Sequence, residues 1–141
     1  MYKFGERSKN NLIGIHPDLV AVMNKAITNS PFDFTIVEGV RTVERQQELY
    51  AKGRKTAGAI VTNCDGVRAK SSHQVKDDGY GYAVDLYAYY DGSVQTNDVV
   101  KLKAIAAHIK HVSKKLGIKI EWGGDWKTIK DYPHFELGIR G

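Results

Sequence analysis

Ala83-Val84-Asp85-Leu86-Tyr87-Ala88-Tyr89, with Asp91-Gly92 close behind, is the segment on which the fold turns. Its β-branched and aromatic residues read as a strand, and Asp-Gly is a strong hairpin-turn signal. The same segment carries a chemical anomaly. Asp85 sits in the middle of an otherwise apolar strand, where a charge is costly unless it is paired or bound to a metal.

Upstream, His16-Pro17-Asp18 opens a helix with proline in the first turn, and Leu19, Val20, Met23, Ala26 and Ile27 recur at helical spacing. Phe32 to Val37 alternates as a strand and leads into Glu38-Gly39-Val40-Arg41-Thr42. Thr42 caps a second helix, Val43 to Lys52, which Gly53 stops. Residues 54 to 81 show weak periodicity and read as a long irregular segment, which in a small domain is usually functional or mobile.

Downstream, Asp98 to Leu116 is the strongest helix, capped by Asn97 and closed by Gly117. Val99, Leu102, Ile105, Ala106, Ile109, Val112 and Leu116 form its apolar stripe. Ile118 to Trp122 and His134 to Leu137 read as short strands. The order predicts an α+β domain with helices packed on a small antiparallel sheet.

A chain of 141 residues suits a single domain over 1–141, with no second domain expected beside it, and is long enough for one core. Hydrophobic and charged shares of 42% and 26% fit a soluble globular protein. No apolar run nears the roughly 20 residues of a membrane span, and residues 1–8 hold no signal-peptide core. Lone Cys64 excludes an internal disulfide framework and a cysteine-rich zinc site; it reads as an inert thiol in a turn. The formal charge of +5 favours anionic partners. Its basic residues form no stripe, so nucleic acid is not an expected partner.

Two histidines accompany Asp85. His73 follows Ser71-Ser72 on a loop, where serine hydroxyls can orient the backbone or the ring. His134 opens a strand after Pro133. Two imidazoles and a carboxylate make up the three-ligand inventory of a catalytic zinc site, whose fourth position stays open to water. His16, His108 and His111 read as structural or surface residues. Trp122 suits core packing and a cleft equally, whereas Trp126 leans to a cleft.

Four blocks in order carry a resemblance. They are Glu38-Gly39-Val40-Arg41-Thr42 with Arg45-Gln46-Gln47-Glu48-Leu49-Tyr50 and Gly53-Arg54; Ser71-Ser72-His73; Gly81-Tyr82-Ala83-Val84-Asp85; and Trp122-Gly123-Gly124-Asp125-Trp126 with Asp131-Tyr132-Pro133-His134-Phe135-Glu136. On these the chain resembles the VanY/D-Ala-D-Ala carboxypeptidase superfamily of zinc peptidases (family M15), and most closely the phage L-alanyl-D-glutamate endopeptidase endolysins. The resemblance implies a Hedgehog/D-Ala-D-Ala peptidase-like fold, with His73, Asp85 and His134 as zinc ligands and Asp131 as general base. Arg41 is implied as the residue that holds substrate and steadies the oxyanion, where the alternative is a surface ion pair with Glu38 or Glu44. Glu136 and Asp125 compete with Asp131, and pattern alone does not separate the three acids.

The sequence departs from its relatives by an insertion between His73 and Gly81, including Lys76-Asp77-Asp78-Gly79-Tyr80. This is a surface loop, a substrate lip, or an oxygen-rich calcium site through Asp77 and Asp78. The expected activity is hydrolysis of the L-Ala–D-Glu bond in peptidoglycan stems by a monomer that does not insert stably into membranes. It would accumulate without a signal peptide in the host cytoplasm before lysis and act on the wall in the periplasm. The rival readings are a D,D-carboxypeptidase or dipeptidase trimming D-Ala termini, and a zinc-containing wall-binding module without turnover.

Overall fold

The computed structural model describes residues 1–55, 60, 62, 64, 66 and 71–138. Along the chain run α1 (Glu6–Asn11), α2 (Pro17–Thr28), β1 (Phe34–Glu38), α3 (Val43–Ala51), β2 (Ala83–Tyr90), β3 (Ser93–Gln95), α4 (Val99–Leu116), β4 (Ile120–Trp122) and β5 (His134–Leu137). The strands form one antiparallel sheet in the order β1-β2-β5-β4, with β3 hairpinned onto β2. The α+β architecture matches the sequence reading.

Strand alternation divides the sheet into two faces. Val84, Leu86 and Ala88 of β2, and Phe135 and Leu137 of β5, are buried in the core. Against them pack Leu19, Val22, Met23, Ala26 and Ile27 of α2 and Leu102, Ile105, Ala106, Ile109 and Val112 of α4. Each fully buried aliphatic or Phe side chain contributes about 1.5–3 kcal/mol of transfer free energy, so this face holds the sheet to the helices. The opposite face carries the polar residues. Leu116, expected in the α4 stripe, is 43% exposed at the last residue of the helix.

Local chemistry shifts several boundaries. Asp98, rather than Asn97, caps α4: its Oδ1 accepts the Lys101 N–H at 3.0 Å, and Tyr90 donates to its Oδ2 at 2.7 Å. Gly117 closes α4 in the left-handed conformation, φ 70°. Helix α1 was not foreseen, since Glu-Arg-Ser-Lys-Asn-Asn has no apolar period. It docks through polar groups, with Ser8 Oγ accepting from Ile36 N at 3.0 Å and Asn11 Nδ2 donating to Ile36 O at 2.8 Å. These bonds occupy backbone groups on the sheet edge that would otherwise be open to pairing.

Candidate active site

Register does most of the assembly. The β2/β5 ladder sets Asp85 directly opposite His134, and the β1/β2 ladder, irregular between Ile36 and Glu38, sets Glu38 opposite Asp85. On β5 the alternation that buries Phe135 and Leu137 sends His134 and Glu136 to the other face. His73 arrives from the loop. Its N–H donates to Ser71 Oγ at 3.2 Å, and its carbonyl accepts the Arg41 N–H at 2.8 Å. Tyr82 N–H donates to Ser72 O at 2.8 Å, tying the loop to the start of β2.

The three residues converge. His73 Nε2 lies 3.1 Å from His134 Nδ1 and 3.2 Å from Asp85 Oδ1, and His134 Nδ1 lies 3.5 Å from Asp85 Oδ1. A tetrahedral ion with N and O ligands at roughly 2.0–2.2 Å spaces its ligand atoms about 3.3–3.6 Å apart. The spacing therefore fits a small cation with little adjustment. Among the described residues this is the one group of three or more His, Cys, Asp or Glu side chains able to hold a metal.

Hydrogen bonding selects the tautomers. His73 Nδ1 lies 2.9 Å from Gly39 O; a carbonyl only accepts, so Nδ1 carries the hydrogen and Nε2 presents a lone pair. His134 Nε2 donates to Glu136 Oε1 at 2.7 Å, leaving Nδ1 the same role, and Glu136 Oε2 accepts from the Ser72 hydroxyl at 3.0 Å. Two imidazole lone pairs and a carboxylate aimed at one point need a cation or a proton among them. Backing each ligating imidazole with a carbonyl or carboxylate is how metal sites fix ring orientation.

Electrostatics agree with that need. Burial pushes the Asp85 carboxyl up, but His73 and His134 outweigh it and hold it far below the usual range. Burial pushes His134 down, yet its bonds to Asp85 and Glu136 prevail and raise it to about 9.

The three competing acids separate cleanly in space. Asp131 lines the cleft, its Oδ2 3.9 Å from His134 Nδ1, and burial followed by the charge of Asp85 raises its pKa. Its backbone runs so close to Gly123 that a Cβ there would stand 2.2 Å from Asp131 O, and Asp131 N–H donates to Gly123 O at 3.0 Å. Glu136 is committed to His134 and Ser72. Asp125 is 56% exposed and pairs with Lys110 of α4, away from the cleft.

Arg41 is paired with Glu38 but not at the surface; its side chain is 9% exposed. Nε and Nη2 donate to the Glu38 carboxylate at 2.9 and 3.1 Å, Nη1 donates to Gln46 Oε1 at 2.8 Å, and Nη2 lies 3.6 Å from Asp85 Oδ2. Gln46 is fully buried and passes the constraint on, donating to Cys64 O at 2.7 Å and Thr62 Oγ1 at 3.2 Å. Sequence reading missed it as a site residue. Its only signal was a position in the Arg45-Gln46-Gln47-Glu48 block, where its neighbour is another glutamine.

The cleft, about 470 Å³, is closed on one side by Trp126, Thr128 and Ile129. The Trp126 ring stands 4.9 Å from that of His134, whereas Trp122 stacks on Phe135 in the core and donates to Tyr132 O. Cys64 also lines the cleft. The other histidines are structural or peripheral, as expected: His16 caps α2, His108 bonds to Ala26 O at 2.9 Å, and His111 is exposed. In the insertion, Asp78 accepts from Tyr80 N–H and the Tyr82 hydroxyl. No third ligand joins Asp77 and Asp78 among the described residues, so the calcium reading gains no support.

The model of a family described as phage L-alanyl-D-glutamate peptidase matches residues 1–138. This chain belongs to that family. The L-alanyl-D-glutamate peptidase of Escherichia phage T5 is 34% identical to it over 136 residues, covering 96% of this chain and 89% of that one. The peptidoglycan L-alanyl-D-glutamate endopeptidase CwlK of Bacillus subtilis (strain 168) is 37% identical over 120 residues, 82% of this chain and 66% of the relative. Among solved structures, the Serratia marcescens L-Ala D-Glu endopeptidase ChiX superposes with a TM-score of 0.76 at 36% identity, over 96% of this chain and 89% of that chain. Membership in the family makes the chain a peptidase.

Proposed function

We propose that the protein is a zinc-dependent peptidoglycan endopeptidase that hydrolyses the L-Ala–D-Glu bond of peptide stems. The convergence of His73 Nε2, Asp85 Oδ1 and His134 Nδ1, with Asp131 beside them on the cleft side, carries the reading. Two nitrogens and one carboxylate oxygen suit zinc, whereas calcium favours six to eight oxygen ligands. Bound there, zinc would polarise the scissile carbonyl and bring the pKa of water towards about 7.

The chain's own groups supply the rest. Asp131, kept partly desolvated, takes the proton of the attacking water and returns it to the departing amine. Arg41 keeps two of its five N–H groups beyond those bonded to Glu38 and Gln46, and offers fixed positive charge to the oxygen on which negative charge builds. Glu136 and Ser72 hold the His134 ring rather than act on substrate. The wall polymer is the site of action, and the net charge of +5 favours approach to an anionic envelope. No helix among the described residues is long and apolar enough to cross a membrane.

Digestion of purified peptidoglycan, followed by mass spectrometry with and without chelator, tests the reading. New L-Ala carboxyl and D-Glu amino ends that vanish on chelation are expected; release of free D-Ala instead would make the enzyme a carboxypeptidase. Asp131→Asn should retain bound zinc while turnover drops about 10²–10⁴-fold. Full rate in that variant would remove Asp131 from the role of base.

A further inference from the structure

Four acids line the cleft: Glu38, Asp85, Asp131 and Glu136. Their charges are largely committed within the protein, with Glu38 on Arg41, Asp85 on the two imidazoles and Arg41, and Glu136 on His134. Of the two lining cations, Arg41 is correspondingly held by Glu38 and Asp85. The other is Lys52. It caps the C-terminal end of α3, is half-buried, and lines the cleft with Leu49, one turn earlier. No carboxylate among the described residues pairs with it. An ammonium without a partner at the wall of an acid-rich cleft is arranged to meet an anion brought in by the ligand.

The proposed substrate brings one. A D-glutamyl residue joined through its amine to L-Ala and through one carboxyl to the next residue keeps a single free carboxylate. We propose that Lys52 reads that carboxylate on the leaving-amine side of the scissile bond, and so determines specificity for D-Glu over its uncharged carboxamide. The inference rests on the endopeptidase reading. It assigns recognition to Lys52 and leaves Arg41 to the reacting carbonyl. A charged donor–acceptor hydrogen bond within a partly desolvated cleft is strong enough to carry discrimination of about tenfold or more.

Two synthetic substrates test this: an N-acylated L-Ala–D-Glu peptide extended through one D-Glu carboxyl, and the same peptide with the remaining carboxyl as carboxamide. The wild-type enzyme should show a kcat/KM ratio, acid over amide, of about ten or more. In Lys52→Gln the ratio should collapse towards one, chiefly through a higher KM for the acid, while Lys52→Arg restores it. Bound zinc and the thermal melt of each variant establish that the site and fold persist.

A wild-type ratio near one overturns the inference, as does a ratio that survives Lys52→Gln; the latter would return the carboxylate to Arg41. If Lys52→Gln slows both peptides equally, Lys52 contacts some other group and the assignment fails. Cleavage of neither peptide by the zinc-loaded wild-type enzyme sinks the endopeptidase reading itself, an outcome distinct from the others.

Discussion

The two walls of the cleft are built by different means. Asp85, His134 and Glu136 stand on β2 and β5, where backbone ladders fix each Cα and a one-residue slip would turn all three into the core. Arg41, Gln46 and Lys52 stand on a loop and a nine-residue helix, held by side-chain bonds from Arg41 to Glu38 and from Gln46 to Thr62 and Cys64. The sheet wall carries two of the three proposed metal ligands, Asp85 and His134, with His73 reaching them from a loop; the other wall offers the cations. Peptide hydrogen bonds survive most side-chain substitutions, so the two strand-borne residues of the proposed metal site should tolerate local damage better than the proposed recognition groups.

Phe135→Ala presses hardest on the sheet wall. It removes a fully buried ring behind His134 and should cost about 3–5 kcal/mol, read as a lower urea midpoint. The molecules that remain folded should still bind one zinc, because the ladder keeps Asp85 and His134 in place and the bonds to Arg41 and Gly39 keep His73. Loss of zinc from the folded fraction would show that packing, not register, sets the ligand geometry.

Glu136→Gln leaves the ladder alone and weakens only the hold on His134. Metal affinity should fall about 10–100-fold in a competition titration with a chelating dye. An unchanged affinity would mean that the strand alone orients the ring.

Protons compete for the same lone pair. In the metal-free protein His134 is raised to about 9, so below that pH zinc must displace its proton. Apparent affinity should therefore rise by about tenfold per pH unit between pH 6 and 8 for each proton released, with the release measurable in weakly buffered solution. A flat profile would place the proton elsewhere.

Gln46→Leu probes the helix wall and is the mildest change. It strands Arg41 Nη1 and Cys64 O and should cost about 1–3 kcal/mol, with kcat/KM down about tenfold at full zinc occupancy. If zinc and activity fall together, the two walls are not independent.

How much of this was legible depends on whether the signal is local. Asp85 announced itself as a charge in an apolar strand, and Pro133-His134 as a stiffened strand entry. Their convergence was not readable: His73 and Asp85 are 12 residues apart, and His73 and His134 61. The β2/β5 register, the Arg41–His73 and Tyr82–Ser72 backbone bonds and the bond from the His73 ring to Gly39 close those gaps. The rivalry among Asp131, Glu136 and Asp125 stayed open in the sequence for the same reason. Strand alternation puts Glu136 on the face of His134, yet it cannot say that Glu136 is spent on His134 and Ser72. Gln46 and α1 were invisible because their work is done by polar side chains bonding to distant backbone, which leaves no hydrophobic period.

Gly39 has a neighbour worth remembering. A Cβ on it would lie 1.8 Å from Asn11 O, and its carbonyl is what His73 Nδ1 leans on. The small polar helix α1 is thus the buttress behind an imidazole of the proposed metal site. Anyone trimming that helix, fusing a tag onto it or swapping it for a relative's is adjusting the proposed metal site from behind.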